Sequence, residues 1–107
     1  MYQVSASDTG LDMTYILTYK IIMFKIAWKE KAYKQLCKIR NQQDQESIYI
    51  AVEALSNWPN CKNVTALSKH ECKYRLRVGR YRVLFNADTT VRIIEIHKVA
   101  KRNEQTY

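Results

Sequence analysis

Apolar residues recur along this chain with two different periods, and each change of period marks an element. Met23-Phe24-Lys25-Ile26-Ala27-Trp28 puts Phe24, Ile26 and Trp28 on one side and Met23, Lys25 and Ala27 on the other. A period of two belongs to a strand with one buried face. From Lys29 the period lengthens. Trp28, Ala32, Leu36 and Ile39 recur at three- and four-residue spacing, with Lys31, Lys34 and Lys38 between them. This predicts an amphipathic helix ending near Arg40-Asn41. A second helix follows, with Asp44 as its N-cap and Ile48, Ala51, Val52 and Leu55 on one face. Pro59 stops it shortly after Trp58, and residues 59–70 read as a loop.

The last third returns to period two. Cys72, Tyr74, Leu76 and Val78 alternate with Lys73, Arg75 and Arg77. Gly79-Arg80 then separates this run from Tyr81-Arg82-Val83-Leu84-Phe85. Two strands joined by Gly-X predict a hairpin with a type II′ turn. A two-residue turn fixes the partners: Val78 with Tyr81, Arg77 with Arg82, Leu76 with Val83, Arg75 with Leu84 and Tyr74 with Phe85. Tyr74, Leu76, Val78, Tyr81, Val83 and Phe85 then share a core face, and Lys73, Arg75, Arg77 and Arg82 share the other. Arg77 and Arg82 become directly opposed like charges, which costs a few tenths of a kcal/mol or more. A polyanion would relieve that repulsion. Residues 86–90 read as a further turn and 91–99 as the last strand. The predicted architecture is α+β, an antiparallel sheet with two helices packed on one face, in the order β-α-α-β-β-β. Residues 1–22 read as an N-terminal extension, with Tyr15 to Ile22 rich in strand-forming residues, and residues 23–107 as the domain.

Composition sharpens this. The 107 residues suit one small domain. Lys and Arg total 18 against 10 acids, a net charge of +8, which points to a polyanionic partner such as nucleic acid. The charge is segregated. Between Lys69 and Arg102 stand ten basic residues and three acids, whereas 44–57 holds three acids and no Lys or Arg. Three cysteines without a CxxC argue against a disulfide framework and a zinc site, and suit a reducing cytoplasm. No apolar run reaches the roughly 18 residues of a membrane span. No metal or other cofactor is expected.

The run Tyr74-Arg75-Leu76-Arg77-Val78-Gly79-Arg80-Tyr81-Arg82-Val83 resembles the central hairpin of the RelE/ParE toxin superfamily. The ending Lys101-Arg102-Asn103-Glu104-Gln105-Thr106-Tyr107 resembles the C-terminal motif of its RelE branch. The resemblance covers residues 23–107. It implies the toxin of a type II toxin–antitoxin pair, a ribosome-dependent endoribonuclease (an mRNA interferase) that cuts mRNA in the A site and stops translation. The RNA 2′-hydroxyl attacks the adjacent phosphate, leaving a cyclic phosphate and a free 5′-hydroxyl. The implied partners are an antitoxin protein, the ribosome with its rRNA, and mRNA. The alternative is the ParE branch, which poisons DNA gyrase and cuts no RNA. A third reading is a plain RNA-binding module.

The resemblance also implies roles. Lys73 and Arg75 match the basic pair that binds RNA and assists proton abstraction. Arg82 matches the arginine that steadies the scissile phosphate. Lys101 or Arg102 matches the basic residue that stabilises charge and protonates the leaving oxygen. Tyr107 matches a tyrosine on which a base stacks. Arg77, Arg80 and Lys98, in the same basic stretch, read as further RNA contacts. The chemistry is coherent by itself: fixed cations suit a developing dianionic phosphorane, and a Tyr ring is a sequence-tolerant stacking platform. One departure stands out, because Arg75 occupies a position where some relatives place a Lys. Arg essentially never deprotonates, so Lys73 is the better general base. His97 is a second acid/base candidate.

Overall fold

The computed structural model describes residues 23–102. The elements are β1 (Lys25–Trp28), α1 (Glu30–Cys37), α2 (Gln42–Glu53), a 3-10 turn (Ala54–Asn57), β2 (Val64–Ala66), β3 (Tyr74–Val78), β4 (Tyr81–Asp88) and β5 (Ile93–Lys101). The expected extension, residues 1–22, lies outside the described residues.

The strands form one sheet in the order β1-β5-β4-β3-β2. The α+β class and the two helices agree with the sequence pattern, but the sheet is mixed rather than wholly antiparallel. β1 pairs in parallel with β5, Ile26 beside Ile94 and Trp28 beside Ile96. Period-two alternation specifies a strand and its buried face but not the direction of its neighbour. That direction depends on chain path: β1 leads into the helices, and the chain returns through β3 and β4 before β5 lies against it. The segment 59–70, expected to be a loop, contains β2. Its residues pair antiparallel with β3, Thr65 opposite Arg75. A strand this short cannot show a period.

Ala32 and Leu36 of α1, Ile48 and Val52 of α2, and Phe85 and Ile96 of the sheet belong to one buried cluster. The apolar stripes of both helices therefore turn toward the sheet. Trp58 joins them edge-on to Tyr74 and Phe85, at centroid distances of 4.6 and 5.5 Å. Helix α1 stops at Cys37, before the expected Arg40-Asn41. The cap of α2 is Asn41, whose side chain accepts a hydrogen bond from the Asp44 backbone N–H at 3.1 Å. Asp44, expected at the cap, sits in the first turn instead, where its charge faces the positive end of the helix dipole.

The hairpin has the expected register from Val78–Tyr81 to Tyr74–Phe85. Gly79 has φ +56°, as the first position of a type II′ turn requires. β4 runs on to Asp88, into the residues expected to turn. The Asp88 carboxylate then accepts from the backbone N–H groups of Thr90 and Val91, and the last strand begins at Ile93 and reaches Lys101.

An irregularity in β5 governs which of its side chains reach each face. Leu84 pairs with Lys98 and Phe85 with Ile96, so His97 is an extra residue in β5. This β-bulge reverses the parity of the strand. Ile94 and Ile96 face the core before it, and Val99 faces the core after it. The Val99 backbone N–H beside the bulge donates to the Gln35 side chain of α1 at 2.8 Å.

Candidate nucleic-acid interface

The helices cover one face of the sheet and leave the other to the basic residues. Register places Arg75 and Arg77 of β3 and Arg82 of β4 on that open face, with Lys73 just before β3. Arg77 and Arg82 are direct cross-strand partners, as the turn demanded. The bulge then adds two more cations. Without it Lys98 would point to the core; with it Lys98 lies opposite Leu84, and the position of Arg102 falls on the same side. Basic residues drawn from three strands thus share one surface.

Leu84 sits among them, on the open face, yet it is only 3% exposed. Its two cross-strand neighbours are Arg75 and Lys98. Long basic side chains cover apolar surface with their methylene stems while their charged ends stay in water. Leu84 is therefore an apolar floor under a cationic surface. Sequence reasoning passed over it, because the unbroken run Val83-Leu84-Phe85 shows no alternation.

At the turn end of the hairpin, Arg80, Arg82, Lys101 and Arg102 line a recess of about 410 Å³. Among the described residues no acid lines it. Arg82 is positioned there by a hydrogen bond from its Nη2 to the Arg102 carbonyl at 2.8 Å. The Arg102 backbone N–H in turn donates to the Arg80 carbonyl at 2.6 Å. Lys101 pairs with Tyr81 and so leaves the strand on the helix side, whereas Arg102 continues the open face. The two residues left as alternatives by the sequence thus border the recess from opposite sides. A site built of fixed cations suits a phosphate group.

His97 lies farther along the open face. Its Nε2 is 3.3 Å from Glu95 Oε1 and 3.5 Å from Asn86 Nδ2. Asn86 Oδ1 accepts from the Lys73 backbone N–H at 2.6 Å, which ties this group to the start of β3. Asn86 escaped notice in the sequence because it reads as a turn residue; pairing with Glu95 keeps it within β4. Tyr107, the expected stacking residue, lies outside the described residues, as does Glu104.

The cysteines stand apart from this surface. Cys37 is exposed, Cys61 half-buried and Cys72 buried. Burial pushes the Cys61 thiol pKa up. Burial and the neighbouring Glu71 carboxylate do the same for Cys72.

Fold and surface together define a small basic α+β protein whose mixed sheet carries helices on one side and cations on the other. Several solved RelE structures share this architecture. Over 77% of this chain and 98% of the other, a RelE–RelB complex from Pyrococcus horikoshii superposes with a TM-score of 0.65 at 20% identity. A RelBE toxin–antitoxin complex from Mycobacterium tuberculosis gives 0.64 at 20% identity, over 76% of this chain and 100% of the other. The isolated RelE toxin of Escherichia coli gives 0.64 at 14% identity, over 78% and 88%. The chain therefore has the RelE fold. No family model and no curated protein matches its sequence.

Proposed function

We propose that this protein is the toxin of a toxin–antitoxin pair and that it cleaves mRNA on the ribosome. The observation that carries the reading is the cationic open face, with its recess of Arg and Lys, on a RelE fold. Arg82 and Arg102 hold the scissile phosphate and neutralise the charge that builds on it during attack. Arg75 and Lys73 hold the strand on the β3 side, and Arg77, Arg80 and Lys98 contact neighbouring phosphates. Lys101, at the rim, protonates the departing 5′ oxygen. Tyr107 stacks on a base. Fixed cations of this kind favour the phosphorane over the ground-state diester because charge accumulates there. The ribosome supplies the remaining alignment by holding the mRNA with its 2′-hydroxyl in line.

An antitoxin partner is part of the proposal. The Pyrococcus and Mycobacterium structures are complexes of a RelE-type toxin with its antitoxin. A protein with +8 net charge is best neutralised by an acidic one that covers the basic face.

The test uses purified protein, free mRNA and programmed ribosomes. Cleavage on ribosomes with little on free mRNA is the expected result. Equal cleavage in both indicates a stand-alone ribonuclease. No cleavage in either, with DNA replication stopping before protein synthesis in pulse-labelled cells, indicates a gyrase poison and overturns the reading.

A further inference from the structure

Among the cations of the open face, Glu95, His97 and Asn86 form a polar cluster of different character. Three features show that it is built rather than incidental. The β-bulge brings His97 and Lys98 together opposite Leu84, and bulges commonly serve to re-aim a side chain. Gln35 from α1 takes up the Val99 backbone N–H beside that bulge, so the irregularity is held from the helix side. The Lys73 backbone N–H fixes which way the Asn86 amide points: its oxygen accepts, leaving Nδ2 toward His97.

His97 Nε2 therefore faces two partners with opposite requirements. The Glu95 carboxylate only accepts, so it favours a proton on Nε2. The Asn86 amide nitrogen only donates, so it favours a bare Nε2. The ionised carboxylate is the stronger partner and the closer one, at 3.3 against 3.5 Å. In the neutral ring this contact favours a proton on Nε2 and leaves the lone pair to Nδ1. The His97 and Glu95 side chains are 31% and 43% exposed, shielded but within reach of a ligand on the face.

We propose that His97 Nδ1, in place of the Lys73 that the sequence favoured, is the general base of the cleavage reaction, with Glu95 and Asn86 as positioning residues. This rests on the mRNA-cleavage reading and deepens it. The O2′–H bond breaks and its proton passes to Nδ1, giving an imidazolium whose Nε2–H stays on Glu95. The O2′–P bond forms and the P–O5′ bond breaks. The ammonium of Lys101 protonates O5′, and the imidazolium later returns its proton to that lysine through solvent. Protons and charge balance, and the products are a cyclic phosphate and a 5′-hydroxyl. The charged groups that register brings around His97 are Glu95 and Lys98 on β5, Lys73 and Arg75 on the β3 side, and Lys29 just after β1. Among the described residues Glu95 is the acid in contact with the His97 ring.

Single-turnover cleavage of ribosome-bound mRNA, followed against pH, tests the base. Wild-type rate should rise with pH and then level off once the base has lost its proton. His97→Ala should lose that limb and fall on the order of 10²-fold or more in rate, with ribosome association unchanged. Glu95→Gln should lower the rate about tenfold at saturating ribosomes without changing the half-saturating concentration, and Glu95→Asp should recover part of it. An independent readout is the imidazole ¹⁵N spectrum, which should show the Nε2–H form in wild type and a loss of that preference in Glu95→Gln. A wild type that cleaves while His97→Ala cleaves equally well overturns the base role alone. An Nδ1–H form in wild type overturns it too. A wild type with the expected tautomer that cleaves no mRNA overturns the cleavage reading and the base role with it.

Discussion

At the scale of single residues, backbone and solvation preferences decide several outcomes before any packing is considered. Gly79 occupies φ +56°, and a Cβ built there meets nothing within 4 Å. Substitution at this position is therefore opposed by backbone strain, not by a clash. Gly79→Ala should cost about 1 kcal/mol, and Gly79→Asn less, because Asn tolerates left-handed backbone better. Chemical denaturation of the two variants beside wild type measures the difference. The thiols offer a second measurement. The pKa values of Cys61 and Cys72 are raised, so both stay protonated at pH where an exposed thiol ionises. Iodoacetamide should label Cys37 first and Cys72 last. A raised folded-state pKa means that the folded chain holds the proton more tightly than the unfolded one. The stabilising contribution is complete below the unfolded thiol pKa, about 8.5, and is lost as pH rises through the higher folded values. The denaturation midpoint should fall above about pH 9, and less so in a Cys61→Ser, Cys72→Ala double variant measured against its own neutral-pH value.

Among the elements, the end of α1 and the start of α2 show how a cap is chosen. Sequence pattern offered Asp44, but the chain turns at Asn41, and it is the Asn41 side chain that accepts from the Asp44 N–H. Asn41→Ala should cost about 1 kcal/mol, whereas Asp44→Ala removes only a dipole interaction worth about 0.3–1 kcal/mol. Thermal melts of the two variants rank them; a larger loss for Asp44→Ala would contradict the cap. In β3 and β4, the opposed Arg77 and Arg82 illustrate charge arranged against stability. Arg82→Ala removes that repulsion and also the hydrogen bond to the Arg102 carbonyl. The two effects oppose each other, so stability should move by no more than about 0.5 kcal/mol in either direction. Cleavage should fall on the order of 10²-fold or more, because a phosphate-neutralising contact is lost. A folded Arg82→Ala variant with full activity would remove Arg82 from the site.

On the scale of the whole molecule, one core carries two surfaces of different character. Phe85 is fully buried where sheet, Trp58 and helices meet. Phe85→Ala should cost about 3–5 kcal/mol, a large part of what a domain of this size holds, and should leave much of the chain unfolded at 37 °C. The open face is the opposite case, since under the proposed function its cations add little to folding and much to polyanion binding. Association with ribosomes should weaken steeply with added salt. Charge-removing variants of Arg77 and Lys98 should flatten that dependence by about one ion each, measured as the slope of log affinity against log salt. A salt-independent affinity would show that the cations are a solvated surface and nothing more.

Local pattern determined the two helices and the strands β1, β3 and the first half of β4, which side of each is buried, and the pairing of the central hairpin. Those depend on periodicity and on a two-residue turn, and both are written into adjacent residues. Lys73, Arg75, Arg77 and Arg82 were placed on one face by that reasoning alone. What lay beyond it was everything set by residues far apart in the chain. The parallel pairing of β1 with β5 depends on the route of the chain between Trp28 and Ile93. Strand β2 exists because β3 offers it an edge, and not through any signal in Val64-Thr65-Ala66. The burial of Leu84 needs Arg75 and Lys98 from two neighbouring strands to cover it. The bulge at His97 is the most consequential case. Alternation continued through residue 97 would have sent Lys98 inward and Val99 outward. The core side needs Val99, and Gln35, from a helix far earlier in the chain, satisfies the Val99 N–H. Only when the sheet is assembled does the strand gain the extra residue that puts Lys98 and Arg102 beside Arg82, and His97 beside Glu95 and Asn86.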